Sequence, residues 1–288
     1  MFQYTIASLS INVSGKGLNH ITGFMPFAAS AGTAPLLDVS LDTPLDNWDM
    51  PPLYSFVFDD EDILCDFACA CGAYLFRMEA PGGQLLLTET VFVNNAFYMR
   101  TNMGGHTPAR WLRFAMWVTF GIAALSQRTV AMHASTIMYG GKSALFLGES
   151  GTGKSTHTRL WLNNIPDTEL LNDDSPFLSV KNNKVFVYGS PWSGKTPCYK
   201  NACTPIAAIV RLSQAPNNKI NRLKSIAALG ALLPSCPPAF MYNSLLSDQV
   251  YEILSVVLQK VPVYTLECLP NAAAAQLVLS SLQYDGYL

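Results

Sequence analysis

The sequence predicts a mixed α/β (α+β) chain in two parts, a mostly antiparallel β region over residues 1–107 and an α/β core over residues 108–288. Three observations carry this. Short runs rich in β-branched and aromatic residues fill the first part and are cut by turn signals. Glycine and proline in Gly104-Gly105-His106-Thr107-Pro108 then mark a joint. In the second part, Gly148-Glu149-Ser150-Gly151-Thr152-Gly153-Lys154-Ser155 fits G-x-x-x-x-G-K-S/T at every fixed position, between an apolar run at 143–147 and helix-forming residues at 156–162.

Taken in order, residues 4–13, 53–58, 73–78 and 85–93 read as strands. Ser14-Gly15, Pro81-Gly82-Gly83 and Asn94-Asn95 supply turns. Residues 108–125 read as a helix leading into the second part. There, a strand at 130–138, a turn at Tyr139-Gly140-Gly141-Lys142 and a strand at 143–147 form a hairpin that delivers the glycine-rich loop. Further helices are expected at 227–233, 249–258 and 272–282, and strands at 206–212 and 261–267.

Half the residues are hydrophobic and 13% are charged, so a membrane span has to be weighed. The longest apolar stretch, 114–125, has Arg113 and Arg128 near its ends and falls short of the roughly 20 residues a crossing needs. It reads as a buried helix. The first residues, Met1-Phe2-Gln3-Tyr4-Thr5, have no basic segment followed by an apolar one, so no secretion signal is expected. A net charge of −2 without a basic cluster argues against nucleic acid as a partner. Few charges are available to cover the surface, which leaves homo-oligomer formation open.

Seven cysteines, an odd number without framework spacing, point to a reducing cytoplasm. Cys65, Cys69 and Cys71 are close enough to suggest a metal. They lie in an apolar run without a Cys-x-x-Cys pair or neighbouring histidine, so core packing is the favoured reading.

The loop chemistry is specific. Glycines let successive backbone N–H groups turn toward phosphate oxygens, and the following helix adds its positive dipole end. Gly148, Ser150, Gly151, Thr152, Gly153, Lys154 and Ser155, with Thr156 opening the helix, form the candidate phosphate-binding set. Lys154 would reach the β- and γ-phosphates of ATP and Ser155 would ligate Mg²⁺. Downstream, Leu170-Leu171-Asn172-Asp173-Asp174 sets two carboxylates at a strand end, where one can organise the metal and the other accept a proton. His133 falls within the predicted strand at 130–138. A lone histidine in an apolar strand is usually a hydrogen-bonded core residue. The segment Tyr188-Gly189-Ser190-Pro191-Trp192-Ser193-Gly194-Lys195 makes a second loop, in which Lys195 is a candidate for the phosphoryl group; Arg211 is another.

Together, His133-Ala134-Ser135, the hairpin, the 148–155 loop with Glu149-Ser150 inside it, and Asp173-Asp174 resemble, in that order, the HPr kinase/phosphorylases and the smaller HPr-kinase-like proteins. These share a nucleotide fold with the ATP-dependent phosphoenolpyruvate carboxykinases. The resemblance covers roughly residues 130–215, and Pro191-Trp192-Ser193-Gly194 matches the HPr-kinase-like branch. It implies a P-loop nucleotide-binding domain with ATP and Mg²⁺ as cofactors. Lys154 and Ser155 would hold phosphates and metal, Asp173 would be the base, Asp174 would assist at the metal, and His133 would tune the acid–base step. Thr156 stands where the HPr kinases carry glutamate, and their C-terminal glycine-rich signature has no good copy here. HPr itself is therefore not the expected acceptor.

The expectation is an ATP-dependent kinase that moves the γ-phosphate to a serine-type hydroxyl of a protein, peptide or small molecule. The alternative is a non-catalytic ATP-binding accessory or switch protein that holds a partner through its β region.

Overall fold

In the first strands, side chains alternate between core and surface as the pleat of a half-buried sheet requires. β1 (Phe2–Ile6) pairs antiparallel with β2 (Leu9–Ser14), where Leu9, Ile11 and Val13 are buried and Ser10, Asn12 and Ser14 are not. Ala7 and Ser8 turn the chain at positive φ, which splits the run predicted at 4–13 into two strands. The computed structural model describes residues 1–16, 21–30, 32–58, 62–194 and 196–288. It is a mixed α/β structure with large sheets and few helices.

The chain divides into two compact units, Met1–Ser126 with Ala239–Ser247, and Gln127–Pro238 with Asp248–Leu288. In the first, β3 (Ala28–Ala29), β4 (Leu37–Ser40), β5 (Tyr54–Phe58), β6 (Ile63–Ala70), β7 (Ala73–Ala80), β8 (Gln84–Val93) and β9 (Ala96–Thr101) join β1 and β2. Among the described residues the sheet has nine strands, ordered β3-β1-β2-β4-β9-β8-β7-β6-β5. Only β4 runs parallel to its neighbours, β2 and β9. Asn94 and Asn95 close the β8–β9 hairpin with φ of 50° and 64°, the left-handed conformation that asparagine tolerates. Helix α1 (Ala109–Leu125) also belongs to this unit, and Phe114 on it meets Phe56, Phe58 and Phe76 with ring centroids 5.9, 4.6 and 5.7 Å apart. The sequence reading sets its division at 107/108; the compact units divide after Ser126.

The cysteine run corrects one expectation. Cys65 is buried in β6 as a core residue, whereas Cys69 and Cys71 are exposed. Cys71 sits in the turn between β6 and β7 at a φ of 50°, so the run ends at a hairpin tip and not in the core.

The second unit is built on β10 (Thr129–Ala131), β11 (Ala134–Tyr139), β12 (Lys142–Leu147), β13 (Glu169–Asp174), β14 (Phe177–Lys181), β15 (Lys184–Tyr188), β16 (Cys203–Gln214), β17 (Lys219–Leu223) and β18 (Val263–Cys268). Its order is β10-β14-β15-β16-β12-β11-β13, with β18 on β16 and β17 on β18. β16 runs parallel to both β12 and β18. Between strands run α2 (Lys154–Asn164), α3 (Ser225–Leu232), α4 (Ser244–Lys260), which starts within the first unit, and α5 (Ala272–Tyr284). Trp161 and Ile165 from the α2 region and Ala275, Val278 and Leu282 from α5 pack on Phe146, Val210 and Leu266 of the parallel strands in one core. Among the described residues no helix is long and apolar enough to cross a membrane.

Candidate functional site

Strand register brings the candidate residues to one end of the sheet. Ala134 of β11 lies opposite Leu147 of β12 on one side and Asp174 of β13 on the other. The glycine-rich loop starts at the residue after Leu147, and His133 is the residue before Ala134. Three segments distant in sequence therefore meet at one edge.

His133 is not in a strand, as its apolar surroundings predict, but in the break between β10 and β11. The break has a long-range cause: Met132 N–H still follows the β10–β14 register, donating to Pro176 O at 3.0 Å, but His133 N–H turns to Ser235 O at 2.7 Å. The ladder is interrupted, and the half-exposed imidazole is free to face Asp174, with Nε2 3.6 Å from Oδ1. Partial burial lowers its pKa, as does the Lys154 cation, against the upward pull of Asp174 and Glu149.

The loop is closed on itself. Lys154 Nζ donates to Gly148 O at 2.8 Å and Glu149 O at 3.2 Å, and Thr152 Oγ1 donates to Glu149 O at 2.6 Å. Gly153 stands at the start of α2 with a φ of 106°, a conformation costly for any side-chain-bearing residue. Burial lowers the pKa of Lys154; Asp174, Glu149 and Asp173 oppose this and Arg211 adds to it. Arg211 lies across from Leu147 in the parallel register of β16. Its guanidinium holds Glu149 Oε1 at 2.5 Å and Ala231 O at 3.2 Å. A direct Glu149–Arg211 link from the loop to the neighbouring strand has no sequence signal, since 61 residues separate the two in the chain.

The two aspartates differ in surroundings. Asp173 is 3% exposed, accepts from Ser155 Oγ at 2.9 Å on Oδ1, and among the described residues has no partner for its buried Oδ2. Asp174 has a half-exposed side chain, pairs with His133 and accepts from Ser175 Oγ at 3.0 Å. Its φ of 149° is rare outside glycine, and such strain concentrates at functional sites.

The 189–194 loop holds this pair in place. Gly194 N–H donates to Asp173 O at 2.6 Å, and a β-carbon at 194 would stand 3.0 Å from that oxygen and 3.2 Å from the Asp174 β-carbon. Ser193 forms a bridge with Asp174. Asn172, fully buried, donates to Ser190 O and Trp192 O at 3.3 and 3.0 Å and accepts from Ser175 N–H at 2.8 Å. It ties the loop to the strand end, a role the sequence reading missed because the neighbouring aspartates drew the chemistry. Lys195, the candidate on this loop, lies outside the described residues. Ser150, Gly151 and Thr152 line the loop, and Thr156 is exposed on the first turn of α2.

His157 sits behind the loop in an apolar environment. Its Nε2 accepts from Trp161 Nε1 at 3.2 Å, its ring lies 4.5 Å from that of Phe146, and burial pushes its pKa down to about 4. It is a neutral packing residue. Among the described residues no group of three or more His, Cys, Asp or Glu side chains gathers to hold a metal. A site for Mg²⁺ would draw on Ser155 and the aspartates together with phosphate oxygens.

No protein-family model matches the chain, and no curated protein matches it. Among solved structures it is similar to the Hpr(Ser) kinase/phosphatase from Coxiella burnetii, at 12% identity and a TM-score of 0.32, over 54% of this chain and 95% of that one.

Proposed function

We propose that the second unit is an ATP-dependent phosphotransferase with a P-loop nucleotide-binding core, moving the γ-phosphoryl group to a serine-type hydroxyl of a protein, peptide or small molecule. The observation that carries this is the meeting of Lys154, Ser155, Asp173, Asp174 and His133 at one strand edge.

In this reading the loop amides and Lys154 bind the β- and γ-phosphates, and Lys154 exchanges its contacts with Gly148 and Glu149 carbonyls for phosphate oxygens. Mg²⁺, when bound, would neutralise charge on those phosphates. The residues fit such an ion: among the described residues Asp173 Oδ2 is a buried carboxylate oxygen without a partner, on the carboxylate that already holds the Ser155 hydroxyl. Geometry thus supports Ser155 and Asp173 at the metal and Asp174 as the base. This exchanges the parts of the two aspartates that the family resemblance implies, because Asp174 is the one accessible to an incoming hydroxyl. The acceptor oxygen attacks phosphorus in line, its proton passes to the Asp174 carboxylate, and the bond from phosphorus to the β–γ bridging oxygen breaks to release ADP. His133, with Nε2 3.6 Å from Asp174 Oδ1, positions Asp174.

The test is transfer of label from γ-labelled ATP to a cell lysate as acceptor pool, with wild type, Asp174→Asn and Asp173→Asn. Asp174→Asn is expected to lose about 100-fold or more in transfer while keeping its affinity for ATP. Asp173→Asn is expected to weaken the Mg²⁺ dependence of ATP binding. Transfer at the wild-type rate by Asp174→Asn would remove it as the base; binding without transfer by wild type would favour the accessory role.

A further inference from the structure

A carboxylate inside a phosphate-binding loop opposes the ligand that the loop would hold. Glu149, the second residue of the 148–155 loop, is such a carboxylate, and the fold shows what offsets it. Its side chain is 75% exposed, and its Oε1 accepts from an Arg211 guanidinium nitrogen at 2.5 Å. Arg211 stands on β16 opposite Leu147, the last residue of β12 before the loop, so its head reaches the loop from the neighbouring strand. Both charges act across the site. Glu149 works to raise the pKa of Lys154 and of His133, while Arg211 works to lower that of Lys154.

The two partners are held unequally. Arg211 is only 23% exposed, and a second nitrogen of its fork donates to Ala231 O of α3 at 3.2 Å. A planar fork tied at one end is preorganised to offer its other end to an oxyanion, and exchanging one anion for another there leaves the Ala231 contact in place. An exposed carboxylate returns to water at small cost, because surface ion pairs contribute little. A terminal phosphate brings more charge and more acceptor oxygens than the carboxylate it would displace. Of the pair, Glu149 is therefore the one to move.

We propose that Glu149 is a stand-in for the terminal phosphate: its carboxylate holds the outer end of the Arg211 fork until the γ-phosphoryl group of ATP displaces it, so that Arg211 selects the triphosphate over the diphosphate. The proposal rests on the reading of the 148–155 loop as a phosphate site. It accounts for an acidic residue within that loop and for the contact Arg211 makes with it.

The experiment is calorimetric titration of the full chain with Mg·ATP and Mg·ADP, on wild type, Glu149→Gln, Arg211→Gln and the double variant. Arg211→Gln is expected to lose about tenfold for ATP and less than about threefold for ADP, and the retained ADP affinity also reports an intact loop. Glu149→Gln is expected to bind ATP about threefold tighter than wild type, and this gain is expected to vanish once Arg211 is glutamine, since there is then no guanidinium to release. Arg211→Lys keeps the charge without the fork; it is expected to lose about threefold for ATP and nothing for ADP, and it carries the comparison should the glutamine variant not fold. Unchanged or weaker ATP affinity in Glu149→Gln, an equal gain in both backgrounds, or equal losses for ATP and ADP on changing Arg211 would overturn the stand-in and leave the phosphate site standing. Failure of wild type to bind either nucleotide would overturn both.

Discussion

Asp173 and Asp174 are adjacent in sequence and opposed in environment, and a glycine twenty residues on packs against both. The Gly194 amide anchors the Asp173 carbonyl, and the absence of a side chain at 194 lets the loop lie against both aspartates. Gly194→Ala needs a shift of a few tenths of an ångström in the residues that carry the chemistry. Because small misplacements of reacting groups are costly, phosphoryl transfer should fall about tenfold or more while the thermal transition changes little. Rates and melting of the variant measured side by side check this. At this scale the sequence displays residue types but not contacts. The placement of the loop lysine and serine between a strand and a helix was legible because the glycine spacing sets where the chain turns. Asn172 and the Glu149–Arg211 pair were not, since each acts through a partner that only the fold supplies.

At the scale of elements, the strand–loop–helix unit was readable because its periodicity and its motif agree. Two features around it were not. The apolar run at 130–138 gives no hint of the break at His133, which exists because the His133 N–H donates to Ser235 O and not to a neighbouring strand. β17, Lys-Ile-Asn-Arg-Leu, is too polar to announce itself and forms by pairing antiparallel with β18. Helix α2 is mostly polar and presents few buried residues, so Trp161 does much of its anchoring. That indole is fully buried between the sheet and α5, with rings of Phe146 and Tyr139 at 6.0 and 6.3 Å. Trp161→Ala should cost about 3–5 kcal/mol by urea unfolding and should loosen the loop that α2 carries, seen as faster amide exchange at 151–156.

For the whole molecule, chain order and compact units part company. Residues Ala239–Ser247 lie deep in the second half of the sequence yet belong to the first unit. Phe240 is 1% exposed, its ring centroid is 6.4 Å from that of Phe67 in β6, and Tyr242 stacks on Tyr54 of β5 at 4.8 Å. Composition and turn signals cannot show such a return, because nothing in an apolar run names the sheet it will cover. Phe240→Ala should therefore destabilise the first unit by about 3–5 kcal/mol, and exchange should quicken in β6 and α1. Unchanged protection in β6 would show that the segment contributes little to that core.

Phosphoryl transfer by this chain requires the 148–155 loop to hold the phosphates of ATP. Calorimetric titration of wild type and Lys154→Ala with Mg·ATP tests this most directly, since Lys154 reaches the phosphates in the proposed complex and bonds the Gly148 and Glu149 carbonyls without them. Saturable one-site binding by wild type, weakened at least about tenfold in Lys154→Ala, is the predicted result. Equal affinity in the two proteins, or no binding by wild type, would contradict it.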